Sequence, residues 1–515
     1  MKRVILFLAI LVSATGLIFA TGGRDSGSSA GKPVELTIYY ADNPTLPFRR
    51  DWLAVQKATE LANVKVNWEI MPVQDYQTKV SLALNTGVNA PDVILGQSIA
   101  GENISLALNG AILPISDYSN WTPNFNARVA EFKMQADVDM LKLKASNKRY
   151  NLPSLYDAPF YDGGLLLRQD ILTRYNLPAP KTFDDLYNIL RRYKQDNPSS
   201  YPMTVLVGPR VHYRFTQPSW GISVHQNGAG GSRVLSYDYD KKTFFAGAIS
   251  EQYREYMRYW RKLYAEGLFD PEMAEPISSD VWSRKLATGN AIATYAYYDQ
   301  IGGVEAASSI PGFKLQMYPP LSGPGGAHHQ QKNRTGSGII FPIGVSKRPD
   351  FEQVIRAVDK MFFSEEAAKI WCLGVEGETY TMQGNTIKYA DSILTAPDGI
   401  YKSMQLRYGC GADGTQLVWV NAREMTKYDA NYADINKQVA AMNTAIQAVP
   451  PIPQFTGTTG ERATSLMGTL YNTFIVWDDA FMTGAKSLDT DWNAYVNEMT
   501  TRGINELLNL YNSNL

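Results

Sequence analysis

Between Val34 and Leu95 the chain repeats one alternation that constrains its fold more than any other feature. VELTIYY (34–40) has the β-branched and aromatic content of a strand and is broken by Asp42-Asn43-Pro44. A helical pattern follows over Asp51–Leu61, then a strand over Val64–Ile70 (VKVNWEI), then a helix over Asp75–Leu84 that ends at Gly87. Asp92–Leu95 (DVIL), just after Pro91, reads as a short buried strand. Strand, helix, strand, helix, strand in this order is the mark of right-handed βαβ units and a parallel sheet, so the class is α/β. A second pattern begins with Leu165–Arg168 as a buried strand and Lys181–Tyr193 as a helix capped by Thr182, with Asp184 and Asp185 near its positive end. Lys314–Pro319 and Ile339–Val345 read as further strands and Phe351–Phe363 as a helix. The remainder is mostly helical, broken at Pro450-Pro451-Ile452-Pro453.

The stretch Tyr253–Gln300 carries the densest side-chain information. Tyr253, Tyr256, Met257, Trp260, Leu263 and Tyr264 recur at helical spacing, with Arg254, Glu255, Arg258, Arg261 and Lys262 largely on the other face. Gly267 caps this helix and Asp270-Pro271 prevents a restart. A short helix is expected from Ser279 or Asp280 as N-cap to Gly289. A strand over Ala291–Tyr298 then delivers Tyr295, Tyr297, Tyr298 and Asp299 at its end. Strand ends bearing aromatics and a carboxylate line ligand clefts in α/β proteins, and the same tyrosines serve a core equally well. Periodicity does not separate the two.

With 515 residues, two or three domains are expected. Met1–Ala20 has a basic start at Lys2 and Arg3, an apolar run from Val4 to Val12 and small residues before Ala20. It reads as a secretory signal peptide cleaved after Ala20. Thr21–Lys32 (TGGRDSGSSAGK) reads as a flexible tether. No cysteine stands near the cleavage site, so lipid anchoring is not expected. Removing Lys2 and Arg3 leaves 47 of the 49 basic residues against 50 acidic ones, a formal charge of −3, which offers no footprint for nucleic acid or anionic membrane. The two cysteines, Cys372 and Cys410, allow one disulfide without requiring it. Stability must come from a large hydrophobic core.

Several kinds of chemistry lack their residues. Gly409-Cys410-Gly411-Ala412-Asp413-Gly414 fits the glycine spacing of a dinucleotide loop, but a strand-like TQLVWV follows where a helix is needed, so a hairpin turn is expected. His328 and His329 are read as part of a solvated loop. Asp238–Lys242 lacks the ligands of a calcium loop. No zinc-helix motif or P-loop is present. Glycosidase chemistry needs only two carboxylates, which composition cannot exclude, yet no motif points to it. No cofactor and no metal are implied.

Several segments together resemble the extracellular solute-binding proteins of family 1, in the large branch with oligosaccharide- and alginate-binding members of ABC importers. The matching pieces are NGAILPISDY (109–118), RYNLP (149–153), GGLLLRQDIL (163–172), NLPAPKTFDDLYNIL (176–190), WRKLYAEGLFDPE (260–272), KLATGNAIATYAYYDQ (285–300), GVEGETY (374–380) and FMTGAKSLDTDWNAYVNEMTTRGINELLNLYNSNL (481–515). They run in family order and span nearly the whole chain after the signal peptide. The resemblance implies a monomeric, two-lobed periplasmic-binding-protein-like fold of type II with a helical C-terminal region. It implies that an oligosaccharide is captured in the cleft and handed to ABC transporter permease subunits by hinge closure. It implies one lobe from 33–155 plus about 312–362, and another from 156–311 plus about 363–515. A secreted carbohydrate-active enzyme and a peptide receptor are the competing readings.

The chain departs from the family pattern in two places. Thr21 stands where many relatives carry a lipid-bearing cysteine, so a periplasmic or secreted protein without an anchor is expected. Gln195–Tyr201 lacks the Asp/Asn/Gly alternation of the calcium loop in alginate-binding relatives, which argues against a structural calcium ion and against alginate. Sugar recognition needs flat rings for the C–H faces of pyranoses and planar polar groups for hydroxyls. On positions at strand ends and lobe crossings, the expected rings are Tyr40, Tyr156, Trp220, Tyr295, Tyr298 and Trp419. The expected hydroxyl partners are Asp42, Gln97, Asp157, Asp299 and Glu376. Trp260, Trp282 and Tyr297 are assigned to the core.

Overall fold

The computed structural model describes residues 31–43, 46–157, 163–206, 210–225, 232–274, 278–330, 333–384, 386–396, 400–411, 417, 419–420, 446–447 and 449–515. The expected signal peptide and most of the tether lie outside them. The strands that organise the fold are β1 (Val34–Asp42), β2 (Val64–Pro72), β3 (Val93–Gln97), β4 (Leu152–Leu155), β5 (Gly163–Arg168), β6 (Met203–Val205), β7 (Ser236–Asp238), β8 (Thr243–Phe245), β9 (Ala293–Tyr297), β10 (Leu315–Tyr318), β11 (His329–Gln330) and β12 (Thr335–Ile340).

The first sheet has the order β2-β1-β3-β12-β4, with β1 parallel to both of its neighbours, as the alternation from Val34 to Leu95 requires. Its two connecting helices, Leu53–Ala62 and Val73–Thr86, end on Asn63 at φ 51° and Gly87 at φ 65°. At Gly87 the backbone N–H reaches Ala83 O at 2.9 Å and satisfies one of the carbonyls a helix end leaves open. The second sheet has the order β10-β5-β9-β6, in which only β6 and β9 are parallel. Helix Phe183–Asp196 opens on a complete capping box: Thr182 Oγ1 accepts from Asp185 N–H at 3.1 Å, and Asp185 Oδ2 accepts from Thr182 N–H at 3.0 Å. Helix Glu251–Ala265 buries Tyr253, Tyr256, Met257, Trp260 and Leu263, the stripe its spacing specifies. Each such side chain contributes about 2 kcal/mol on burial. Helix Ser279–Ala287 is capped by Ser278, one residue before the expected positions, because it is the Ser278 hydroxyl that accepts from Val281 N–H. β7 and β8 form a hairpin.

Two large cores result, and they move two of the expected lobe boundaries. Leu315–Tyr318, expected with the first lobe, pairs antiparallel with β5 and packs in the second core. Helix Glu365–Leu373 and the described residues from Tyr380 to Val420 that are apolar and buried, expected with the second lobe, pack in the first core with Trp52 and Phe362. The C-terminal helices Gly457–Thr483, Trp492–Thr501 and Ile504–Ser513 belong to the second core. Among the described residues the chain passes between the cores three times: between Leu155 and Gly163, between Leu321 and Thr335, and between Val420 and Phe455.

Gly409 caps a π-helical turn over Met404–Tyr408, and the hairpin expected over 409–414 lies largely outside the described residues. Gly409 and Gly411 both have positive φ, and a Cβ on Gly409 would come 2.7 Å from the Trp52 ring, so that glycine is needed for packing. Residues 412–416 lie outside the described set. Cys372 and Cys410 are thiols, not a disulfide, and both are fully buried in the first core.

Candidate functional site

The strand directions define one edge in each sheet. β1, β2 and β3 end together at Asp42, Pro72 and Gln97. β12 starts at that edge, since Gly338 pairs with Gln97, and β4 ends there, since Leu155 pairs with Thr335. In the second sheet β9 ends where β5 starts, with Tyr297 opposite Gly163, and β10 ends nearby with Tyr318 opposite Leu165. β4 runs out of the first edge into β5 at the second, and the eight steps from Leu155 to Gly163 span under about 30 Å. The chain returns from the end of β10 to the start of β12. The two edges are therefore joined by the same chain crossings, and the ends of the strands are where open α/β sheets bind ligands.

Glycine lets the strands crowd at these edges. A Cβ on Gly163 would lie 2.2 Å from Ala296 O, and one on Gly338 would lie 2.6 Å from Leu152 O.

The expected site residues divide on burial. At the first edge, Asp42 is half-buried and its Oδ1 accepts from Phe48 N–H at 2.8 Å. Gln97 is buried, and its Oε1 accepts from Asn103 Nδ2 at 3.3 Å. Tyr156 and Asp157 are half-buried where the chain leaves β4. At the second edge, Tyr298 is half-buried at the end of β9. Asp299 follows it in the turn Tyr298–Gln300, and its side chain lies outside the description. Glu376 is exposed in the turn between helix Glu365–Leu373 and Tyr380.

The other four rings are core, contrary to expectation. Tyr40 is fully buried against Phe48 at 4.7 Å and Trp68 at 6.4 Å. Trp220 packs on Phe183, Tyr256 and Tyr259. The loop after Leu321 lies against the same turn, with Gly325 N–H donating to Ser219 O at 2.8 Å. Tyr295 stacks on Phe215 at 6.4 Å and meets the edge of Trp260. Trp419 packs edge-on to Phe362. His329 is another correction: it is fully buried, in a strand pairing with Ile446, and not part of a solvated loop.

Two arginines escaped sequence reasoning. Arg214, on helix Val211–Thr216, lies over the rings of Phe215 and Tyr297 at 5.4 and 5.8 Å, with Nη1 3.5 Å from the Tyr297 hydroxyl. Tyr297 itself is half-buried at the edge and not a full core residue. Arg334 stands just before β12, and its guanidinium gathers partners from the first crossing and the first lobe. Its only sequence signal is a cation at the mouth of the Gly-rich strand TGSGII.

Charge inside the second core is tightly held. His212 and His225 are driven down to about 3, chiefly by burial, with Arg210 and Arg214 respectively adding to the shift. Both are neutral imidazoles at neutral pH. Among the described residues, no three His, Cys, Asp or Glu side chains converge as a metal site. In the segment expected to lack calcium, Lys194 Nζ donates to Ser200 O at 2.6 Å and Asp196 is paired with Arg192. Among the described residues no helix is long and apolar enough to cross a membrane.

Residues 54–357, more than half of the chain, match the family model described as bacterial extracellular solute-binding protein. The chain belongs to this family. Among curated relatives of this solute-binding protein, the polygalacturonan/rhamnogalacturonan-binding protein YtcQ of Bacillus subtilis (strain 168) is 22% identical over 396 residues, 73% of this chain and 74% of that one. The fructooligosaccharide ABC transporter substrate-binding protein FusA of Streptococcus pneumoniae serotype 4 is 22% identical over 352 residues, 62% of this chain and 61% of its own. Among solved structures, the alginate-binding protein AlgQ2 without calcium ion matches the solute-binding protein with a TM-score of 0.72 at 19% identity, over 94% of this chain and 98% of that one. That likeness establishes the two-lobed α/β fold.

Proposed function

We propose that this solute-binding protein is the substrate-binding component of an ABC importer and captures an oligosaccharide between its two sheet edges. The observation that carries the reading is the pair of strand edges joined by the same chain crossings. Ligand touching both edges stabilises the closed arrangement over the open one, and only such a difference shifts the equilibrium. The permease then reads closure. Tyr156 and Tyr298, joined by Tyr297, supply the rings, and Asp42, Gln97, Asp157, Asp299 and Arg214 supply hydroxyl partners. The relatives that bind polygalacturonan, rhamnogalacturonan and fructooligosaccharides support a sugar over a peptide. In this reading the protein is exported by cleavage after Ala20, carries no lipid anchor, acts as a monomer and catalyses no reaction.

A thermal-shift screen over oligogalacturonides, fructooligosaccharides and peptides tests the ligand class, because a ligand that binds only the folded state raises its stability. A rise with a peptide and none with any glycan would replace the sugar reading. Glycan turnover that disappears when Asp42 or Asp157 is replaced would make the protein an enzyme. Tyr298→Ala should weaken oligosaccharide binding tenfold or more, about 1.4 kcal/mol. The unliganded melting temperature should stay within about 2 °C, because a half-buried ring leaves a small cavity. A loss of unliganded stability with unchanged affinity would return Tyr298 to the core.

A further inference from the structure

We propose that segment 132–148 is the fixed side of the hinge and that the Gln454 side chain is a latch on it that sets the resting angle between the lobes. This rests on the two-lobed binding reading above and adds its positioning residues. The segment is seated in the first lobe, where Met134, Val138 and Leu143 are all buried in its cores.

Arg334, on the return crossing, is keyed to this segment. Its Nη1 donates to Asp137 Oδ2 at 2.9 Å and its Nη2 to Phe132 O at 2.6 Å. The same guanidinium reaches the outgoing crossing, with Nη2 donating to Asp157 O at 3.1 Å and Nε to Tyr156 O at 3.3 Å. Tyr156 N–H answers by donating to Arg334 O at 2.9 Å. One planar cation thus fixes where both crossings leave the first lobe, and with them the half-buried Tyr156 and Asp157. A lysine there has a single nitrogen and cannot reproduce the fork.

Gln454 is keyed to the same segment from the other lobe. Its backbone N–H donates to Asn514 O, and the next residue, Phe455, packs on Tyr511 at 5.2 Å, so Gln454 moves with the second core. Its side-chain amide bonds the first lobe twice: Nε2 donates to Lys142 O at 3.1 Å, and Oε1 accepts from Lys144 N–H at 2.7 Å. These two backbone groups flank the buried Leu143, so they cannot follow the second lobe when it rotates. The pair of bonds therefore exists at one interlobe angle and is lost at others.

The test uses the full chain carrying spin labels on exposed positions, one in each lobe. Gln454→Ala should move or broaden the interlobe distance distribution without ligand while leaving the melting temperature within about 2 °C. It should also change oligosaccharide affinity about threefold or more, since one or two hydrogen bonds bias the two arrangements unequally. Arg334→Lys should broaden the same distribution and weaken binding. An unchanged distribution in Gln454→Ala overturns the latch, whether or not stability falls. The distances are read without ligand, so a protein that binds no glycan but whose lobes shift in Gln454→Ala keeps the latch and loses the sugar reading.

Discussion

Asp478→Ala should lower the stability of the second lobe by about 3–5 kcal/mol, because it removes the shared acceptor of a buried network and leaves charge behind. Asp478 lies on helix Gly457–Thr483 and is 2% exposed. Its Oδ1 accepts from the hydroxyls of Tyr213 at 2.8 Å and Tyr253 at 2.6 Å, and its Oδ2 accepts from Arg210 Nε at 2.8 Å. The carboxylate thereby joins three elements distant in sequence: the C-terminal helix, the aromatic helix and the helix carrying Arg214. Burial works against the Arg210 charge, yet Asp478, Tyr213 and Asp479 together hold its pKa above the ordinary value. The two hydroxyls are pushed well above theirs, first by burial and then by the Asp478 charge.

In the alanine variant the Tyr253 hydroxyl loses its carboxylate acceptor, the Tyr213 hydroxyl is left with Met257 Sδ at 3.4 Å, and among the described residues Arg210 keeps Asp479 and Ile475 O. Differential scanning calorimetry should show a transition lowered by roughly 6–20 °C, at about 2–4 °C per kcal/mol for a lobe of this size. Asp478→Asn, which keeps an acceptor, should fall between the alanine variant and the parent. Removing the cation as well, in Asp478→Ala with Arg210→Met, should recover part of the loss, since a buried pair is worth less than the penalty of breaking it. A loss under about 1 kcal/mol in Asp478→Ala would mean that water reaches the network.

What the sequence discloses about this fold is what neighbours in the chain decide. The parallel sheet was legible because each strand and helix between Val34 and Leu95 is terminated by its own residues, and the Thr182 cap because its partner is only three residues away. Leu315–Tyr318 reads as a strand on either side of the molecule, since only its pairing with β5 says which sheet it joins. The aromatic rings failed as site residues for a related reason. A tyrosine or tryptophan fits a dry core and a wet cleft equally well, and what covers it is remote: the turn carrying Trp220 meets a loop about a hundred residues later, and Trp419 packs on Phe362. Tyr156 and Tyr298 stayed at the edge because the chain turns there. Arg334 was silent because four of its acceptors are remote, at Phe132, Asp137, Tyr156 and Asp157, and three of those are backbone carbonyls that no side-chain pattern reports.

Acid should unfold the second lobe in a window set by His212 and His225. Both are buried and neutral, with folded pKa values near 3 against an ordinary 6.5. Folded pKa values below the unfolded ones mean that between about pH 6.5 and 3 the unfolded chain takes up protons that the folded one refuses. Stability is therefore fully present above pH 6.5 and is lost as pH falls, by about 1.4 kcal/mol per pH unit for each histidine. Both together remove about 4 kcal/mol between pH 7 and pH 5.

The groups around them reinforce neutrality. His212 is enclosed by Tyr213, Trp260 and Phe269, with Arg210 adding repulsion, and His225 has Ser223 at 3.4 Å and the Arg214 charge. The carboxylates whose pKa values are lowered by hydrogen-bond partners, such as Asp196 beside Arg192, Asp350 beside Arg348 and Glu498 beside Trp477 and Arg502, release their stabilisation at lower pH, because their unfolded values lie near 4. The range from pH 6.5 to 5 thus isolates the histidines. His212→Leu and His225→Leu should each lower the slope of stability against pH there by about 1.4 kcal/mol per unit. An unchanged slope in both variants would mean that water or an unpaired carboxylate already lets the folded lobe take up these protons.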